Sequence, residues 1–463
     1  MRASPQFGVE RATLSCLRRS QPLAGAIGAS LSRANARAPL VCLAAMAFAL
    51  GFSTRVEAGS TFTVNTAGDP GPAGTLSLRQ AIALAESSDG NTVQFAPSLA
   101  GSTITLVSGE LAVNRLMYVV GLGRGLTTIS GNDASAIFYG KDCSGHVNIR
   151  HLHVTHGFSA RGGAIGTSRC YMNLDDVAVT DSNATFHGGG VYSYYGTTII
   201  ERSSITGNSA QNGGGIGGWS TSIVIGGSTI SGNTAEYRGG GMYLKHQSYL
   251  DLHGSTISGN SVPLITNPDQ IFGGGGAMFI GTKVGLASST VAYNYAVTGG
   301  GGINFYDAFS SSNASIFSST IAWNSTCCYD AGNGIVSTGG APSVTSSIVA
   351  NNNNRGGYDD LAGPFNIYSS LVRSPQSASA IGGTGSVFGV DPKLGSLGVN
   401  GGPTLTMLPA ADSPALDQLN CSALPVYDQR GVSRCVNDLA DMGAVERQIP
   451  EVIIFRNGFD PGG

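Results

Sequence analysis

Between about residues 91 and 410 the apolar side chains alternate with small or polar ones, and the alternation restarts on a fixed step. Residues 203–216 read SSITGNSAQNGGGI and residues 228–244 read STISGNTAEYRGGGMYL. A two-residue alternation is the mark of a β-strand with one face inward. Counting back from the Asn of each unit, apolar residues stand at positions 10, 8 and 3, as in Ile223, Ile225 and Ile230, or Leu250, Leu252 and Ile257. Five positions back the residue is small: Ser203, Ser228, Ser255, Ser289, Ser319 and Ser346. A third apolar stretch follows each glycine run, such as Met242–Leu244 or Ile303–Phe305.

The step is about 26 residues. The Asn column runs Asn208, Asn233, Asn260, Asn294, Asn324 and Asn351, with gaps of 25, 27, 34, 30 and 27. The residues after the glycine runs, from Ile165 through Val191, Ile216, Met242 and Ala277 to Ile303, are spaced 26, 25, 26, 35 and 26 apart. Residues 261–273 account for the longer gap. Three short strands per unit, with no helical pattern between units, predict an all-β fold: a right-handed parallel β-helix of the pectin lyase type. Each strand then pairs with its equivalent one turn along, at roughly 4.8 Å. An inward Asn at a tight bend is expected to bond backbone groups and the Asn above and below it.

A solenoid exposes its core at both ends and needs covers. Leu78, Ile82 and Ala85 share one helical face, which predicts a short N-terminal capping helix within 59–90. The repeats occupy 91–410, a C-terminal cap 411–447, and a tail 448–463.

Residues 1–58 differ in kind. Six arginines from Arg2 to Arg37 precede an apolar run from Pro39 to Phe52, and Val56-Glu57-Ala58 offers small residues around a cut. This reads as a secretory signal peptide, since the run falls short of the roughly 20 residues a membrane span needs. That segment holds seven of the 25 basic and two of the 28 acidic residues, leaving 18 against 26 in the remainder. Such a balance argues against a nucleic-acid partner. Of eight cysteines, six lie beyond residue 58. Cys421 and Cys435 are disulfide candidates for an exported chain. Cys143 and Cys170 lie about one repeat apart and are disulfide candidates bridging neighbouring turns, although two residues out of step with the period. The vicinal Cys327-Cys328 pair either bonds to itself or pairs elsewhere.

Three stretches resemble known families. GGAI at 162–165 and the Ile-x-x-Asn sets at Ile205–Asn208, Ile230–Asn233 and Ile257–Asn260 are similar to the repeats of polymorphic outer-membrane proteins, with Ile where those have Phe. LSLRQAIALAES at 76–87 resembles the CSLREA motif of bacterial β-helix surface proteins, although Leu76 replaces its Cys and Gln80 its Glu. Residues 413–446 resemble the choice-of-anchor Q domain through DQRG and DMGAVE. These resemblances imply a secreted or outer-membrane-associated surface protein of a Gram-negative bacterium. The tail EVIIFRNGFDPGG lacks a sortase motif or an apolar anchor.

Parallel β-helices also carry polysaccharide lyases and hydrolases. A hydrolase needs paired carboxylates and a lyase needs a base, usually beside Ca²⁺. The candidates are Asp175-Asp176, Asp359-Asp360, Arg150, His151 and His153. Adjacent aspartates in a strand point to opposite faces, unless a bend intervenes, and His153 is expected to face outward. No acidic set recurs from turn to turn, and no spacing suits zinc or a cofactor. The acidic cluster Asp412, Asp417, Asp428 and Asp441 with Arg430 reads as structural ion pairs.

One outward stripe stands apart. Tyr192, Tyr194, Trp219, Tyr243 and Tyr306 follow the glycine runs, and Arg161, His187, Asn212 and Arg238 precede them. Stacked on successive turns, these suit an extracellular polysaccharide or a host or cell-surface glycan, with Arg161 and Arg238 for acidic groups. The expected function is therefore a monomeric, exported, non-catalytic display or adhesin-like module. The alternative is a lyase or glycoside hydrolase on the same solenoid.

Overall fold

In the computed structural model, residues 59–448 are described, except 264–272, 308, 310–311, 328–331 and 355–356. The signal peptide expected at 1–58, the tail at 449–463 and Cys328 lie outside the described residues. The described residues belong to one compact unit.

The chain winds as a parallel β-helix. One turn contains β1 (Thr197–Glu201), β2 (Ser204–Thr206), β3 (Ser209–Asn212) and β4 (Ile216–Trp219). The next contains β5 (Ser222–Gly226), β6 (Thr229–Ser231), β7 (Thr234–Arg238) and β8 (Met242–Lys245). β1 pairs with β5, β2 with β6, β3 with β7 and β4 with β8, all parallel. The resulting faces are called sheets A to D in that order. Sheets A, B and D are the three strands expected per turn, and sheet C is an additional short strand between the Asn and the glycines.

Inward residues meet their own kind one turn away. Ile200 pairs with Ile225, Ile205 with Ile230 and Ile216 with Met242, all fully buried. Stacked aliphatics remove apolar surface from water along the whole rod. Gly239, at φ +61°, turns the chain from sheet C toward sheet D, and a Cβ there would lie 1.9 Å from the Met242 carbonyl oxygen. Only glycine meets both demands.

The bends are held by two polar ladders. The Asn208 side-chain amide donates to Asn233 Oδ1 at 3.0 Å, and the relay continues through Asn260, Asn294 and Asn324. The same oxygens accept the backbone N–H of the preceding Asn, so each bend's orphan donors are satisfied. The last step differs from the sequence expectation. Asn324 donates to Asn352, not Asn351, at 2.8 Å. Thr320 pairs with Ile348, a step of 28, which carries Asn352 into the ladder and leaves Asn351 at φ +62° with its Oδ1 bonded to Arg373. The serine ladder shifts likewise: Ser203, Ser228, Ser255, Ser289 and Ser319 lead to Ser347, not Ser346.

Cys143 and Cys170 form a disulfide between neighbouring turns. The expected two-residue offset is absent, because Phe138 pairs with Ile165 and that turn is itself 27 residues long. Cys421 pairs with Cys435. The helix Leu78–Ala85 covers the N-terminal side, with a Ser77/Gln80 capping box, and buries Leu78, Ala81, Ile82 and Ala85.

The C-terminal segment is not confined to the end of the rod. It runs back along the outside of sheet B. Thr256 donates to the Leu405 carbonyl at 2.6 Å, Thr290 to Gln429 Oε1 at 2.6 Å, and Thr320 accepts the Ala444 N–H at 3.0 Å. Met407 packs on Ala292 and Ala322, and Met442 on the cluster containing Ile348 and Leu371. Thr256, Thr290 and Thr320 are consequently buried, whereas Thr229, one turn earlier, is half-buried.

Candidate functional site

Strand register places three outward columns side by side. On sheet D the first reads Tyr139, Gly166, Tyr192, Gly217, Tyr243 along successive turns. The second, two residues on, reads Lys141, Ser168, Tyr194, Trp219, Lys245. On sheet C, across the glycine bend, lie Arg161, His187, Asn212 and Arg238. A groove of about 510 Å³ opens over part of these columns, lined by Tyr139, Tyr192, Tyr194, Trp219, Arg161 and Glu110 among others, with Tyr243, Lys245, His187 and Arg238 outside its lining.

The alternation of Tyr and Gly has a steric cause. A Cβ on Gly166 would lie 2.8 Å from Tyr139 Cδ2, and one on Gly217 3.0 Å from Tyr192 Cδ2. Each ring therefore lies over the glycine of the following turn. Glycine at alternate turns lets the tyrosines lie down along the rod.

The cations gather around an imidazole. His187 stacks between Tyr192, at 5.9 Å, and Tyr243, at 6.2 Å. Lys245 Nζ sits 4.0 Å from the centre of the Trp219 ring and 5.6 Å from that of Tyr243, an arrangement that favours the ammonium. Burial, together with Lys245, Arg161 and Arg238, pushes the His187 pKa down to about 4. Burial and the same two arginines lower Lys245 as well. Burial lifts Tyr192 to about 12 and raises Tyr243 and Glu110.

Four of the predicted stripe residues, Tyr192, Tyr194, Trp219 and Arg161, line the groove. Tyr243 is not an exposed ring: it is 3% accessible and serves as a wall behind His187. Arg238 reaches Asn212 Oδ1 at 3.4 Å. Tyr306 does not join the group. It follows the strand Ile303–Phe305, two turns beyond Lys245 in the second column. Sequence reasoning missed Tyr139, Lys141, Lys245 and Glu110. Carrying the column one turn back from Gly166 would have found Tyr139, and reading the residue level with Trp219 would have found Lys245.

The other catalytic candidates are occupied elsewhere. A bend does intervene at Asp176, with φ +55°, and its carboxylate meets Arg124 at 2.7 Å and His151 at 2.8 Å. Asp175 pairs with Arg202. Arg150 lies 5.8 Å from the centre of the Tyr118 ring. His153 is half-buried, bonded to Thr180 Oγ1 at 2.8 Å, and its pKa is lowered by burial. Asp359 and Asp360 are buried, and Asp360 terminates the Asn ladder. In the C-terminal segment, oxygens of Asp417, Asp441 and Glu446 lie within 4.8 Å of one another. Asp441 accepts the N–H groups of Asp417 and Arg447, and Glu446 that of Asp441. Asp428 pairs with Arg430 at 2.8 Å and Asp412 with Lys393.

No protein family matches the chain by sequence, and no curated protein does. The solved structure of pectate lyase Pel9A is similar, with a TM-score of 0.50 over 84% of this chain and 98% of that one. At 16% identity the likeness is one of fold. The two disulfides fit an oxidising environment, and among the described residues no helix is long and apolar enough to cross a membrane.

Proposed function

We propose that this chain is an exported, non-catalytic β-helix protein that presents the sheet D groove to extracellular polysaccharide at or beyond the cell surface. The observation that carries this reading is the groove itself, where Tyr192, Tyr194 and Trp219 line one floor beside Arg161. Aromatic faces stack on the apolar faces of sugar rings, and guanidinium groups bond their oxygens. The basic, apolar leader and the disulfides support export, and the polymorphic-protein, CSLREA-like and choice-of-anchor-like stretches support surface display. The test is binding to an array of neutral and acidic glycans by the full chain and by Tyr192→Ala and Trp219→Ala variants. Unchanged binding in both variants would remove the groove from the function.

A second reading is favoured by one observation. Lys245, resting on the groove residue Trp219 and with its pKa lowered by burial and neighbouring arginines, has the character of a general base beside the groove. A polysaccharide lyase would use such a group to abstract a proton. Ultraviolet absorbance from an unsaturated product, lost in Lys245→Ala, would establish it.

A further inference from the structure

We infer that the groove takes a polyanionic polysaccharide laid along the rod axis, with its anionic groups facing Arg161, Arg238 and Lys245 and its sugar faces on the tyrosine rows. This rests on the glycan-contacting reading above and names the class and orientation of the ligand.

The charge argument comes first. The groups acting electrostatically on His187 are Lys245, Arg161 and Arg238, all cations. Tyr192 and Tyr243 are the rings stacked on it, neutral phenols whose pKa burial raises further. Among the described residues neither Arg161 nor Lys245 forms an ion pair with a carboxylate, and Lys245 instead rests on Trp219. Glu110 lines the same groove, but burial raises its pKa and so disfavours its charged form. Elsewhere on this surface arginines are matched: Arg124 with Asp176, Arg169 with Asp142, Arg202 with Asp175. Arg161 and Lys245, like charges without a carboxylate partner, repel each other, and a bound polyanion relieves the repulsion.

The direction follows from the columns. Arg161, His187, Asn212 and Arg238 bound one side of the floor, and Tyr194, Trp219 and Lys245 the other. The columns themselves run along the rod. Tyr139 and Tyr192, which line the groove, stand two turns apart, ~9.6 Å at twice the strand separation, and Tyr243 stands two turns further on as the wall behind His187. That is close to a two-sugar step of an extended chain, and the glycines between leave the floor level.

The experiment is titration calorimetry of the full chain with oligogalacturonates of increasing length, with neutral cello-oligosaccharides, and with single-stranded DNA. Affinity is expected to rise about tenfold from disaccharide to tetrasaccharide and to fall as salt is raised. The Arg161→Gln/Lys245→Gln variant is expected to lose at least about tenfold and most of the salt dependence. Lys141→Glu, at the exposed rim, gives a second measure with little demand on folding and is expected to weaken binding several-fold. Equal affinity for the neutral and acidic oligosaccharides would overturn the polyanion assignment and leave the glycan-contacting reading standing. No binding to any glycan would overturn both. Binding to DNA alone would overturn the saccharide in favour of a nucleic acid. A flat length series would overturn the axial placement.

Discussion

Asn352 donates its side-chain amide to Asp360 Oδ1 at 2.8 Å, and its backbone N–H reaches the same oxygen at 2.9 Å. A carboxylate thus closes a ladder that amides build. Asp360 also accepts the Ser374 N–H at 2.7 Å. Asp360→Ala removes a shared acceptor from three buried N–H groups and is expected to destabilise the rod by about 2–3 kcal/mol. Urea unfolding of the two proteins measures it.

The same residue sets a pH dependence. Burial outweighs those three N–H groups and pushes the Asp360 pKa up from 3.8 to about 7, and Glu446 is pushed up from 4.5 to about 8. The folded state holds protons that the unfolded chain has released, so stability falls as pH rises through these windows. Melting temperature is expected to decline between pH of about 4 and about 8, and Glu446→Gln to flatten the upper part. A stability that rises across this range would contradict the assignment.

Gln429 ties the C-terminal segment to sheet B. Its amide donates to the Ser255 carbonyl at 3.1 Å and to Thr256 Oγ1 at 3.0 Å, while Thr290 donates to its carbonyl at 2.6 Å. Gln429→Ala strips these buried partners and is expected to cost about 2–3 kcal/mol. Hydrogen exchange should quicken in residues 391–447 and on the outer side of sheet B, with glycan affinity at the sheet D groove unchanged.

Burial, and after it the cations Lys245, Arg161 and Arg238, hold the His187 pKa down to about 4 in the free protein. A bound polyanion offsets those cations and lets the imidazole regain a proton. Near pH 5 binding is expected to take up protons, read from calorimetry in buffers of differing ionisation enthalpy. The uptake should vanish in His187→Gln. In the free protein the depressed value means that stability falls as pH drops from about 6.5 toward about 4.

Gly217 is the floor beneath Tyr192. In Gly217→Ala the new methyl would stand 2.7 Å from the Gly188 nitrogen and 3.0 Å from the Tyr192 ring. Overpacking of this kind costs about 1–3 kcal/mol. Fluorescence of the neighbouring Trp219 should shift, and glycan affinity should fall more than in a control Gly285→Ala on sheet A, where a Cβ would make only an ordinary contact with the Leu250 carbonyl oxygen at 3.8 Å.

Much of this architecture was written locally. Ile205, Ile230 and Ile257 recur with their Asn partners because each turn solves the same bend, so period and alternation disclose strand, core and ladder together. The ladder misplacements, Asn351 for Asn352 and Ser346 for Ser347, fell where four consecutive asparagines and two consecutive serines erase the contrast that marks the bend. The site was legible as a stripe but not as a groove. Whether Tyr243 is a wall or a platform depends on burial by its neighbours, and Lys245 became visible only once β4 and β8 were in register. The docking of Gln429 on Ser255 spans 174 residues of chain and leaves no periodic trace.

A solenoid whose turns touch only their neighbours can peel from either end, one repeat at a time. The segment laid along sheet B changes that. By gripping Thr256, Thr290, Thr320 and Ser346 at once, it splices four turns into a single mechanical unit. Pulled from its C-terminal side, the rod should yield in one large rupture rather than a train of small ones, which suits a molecule held at one end and loaded at the other.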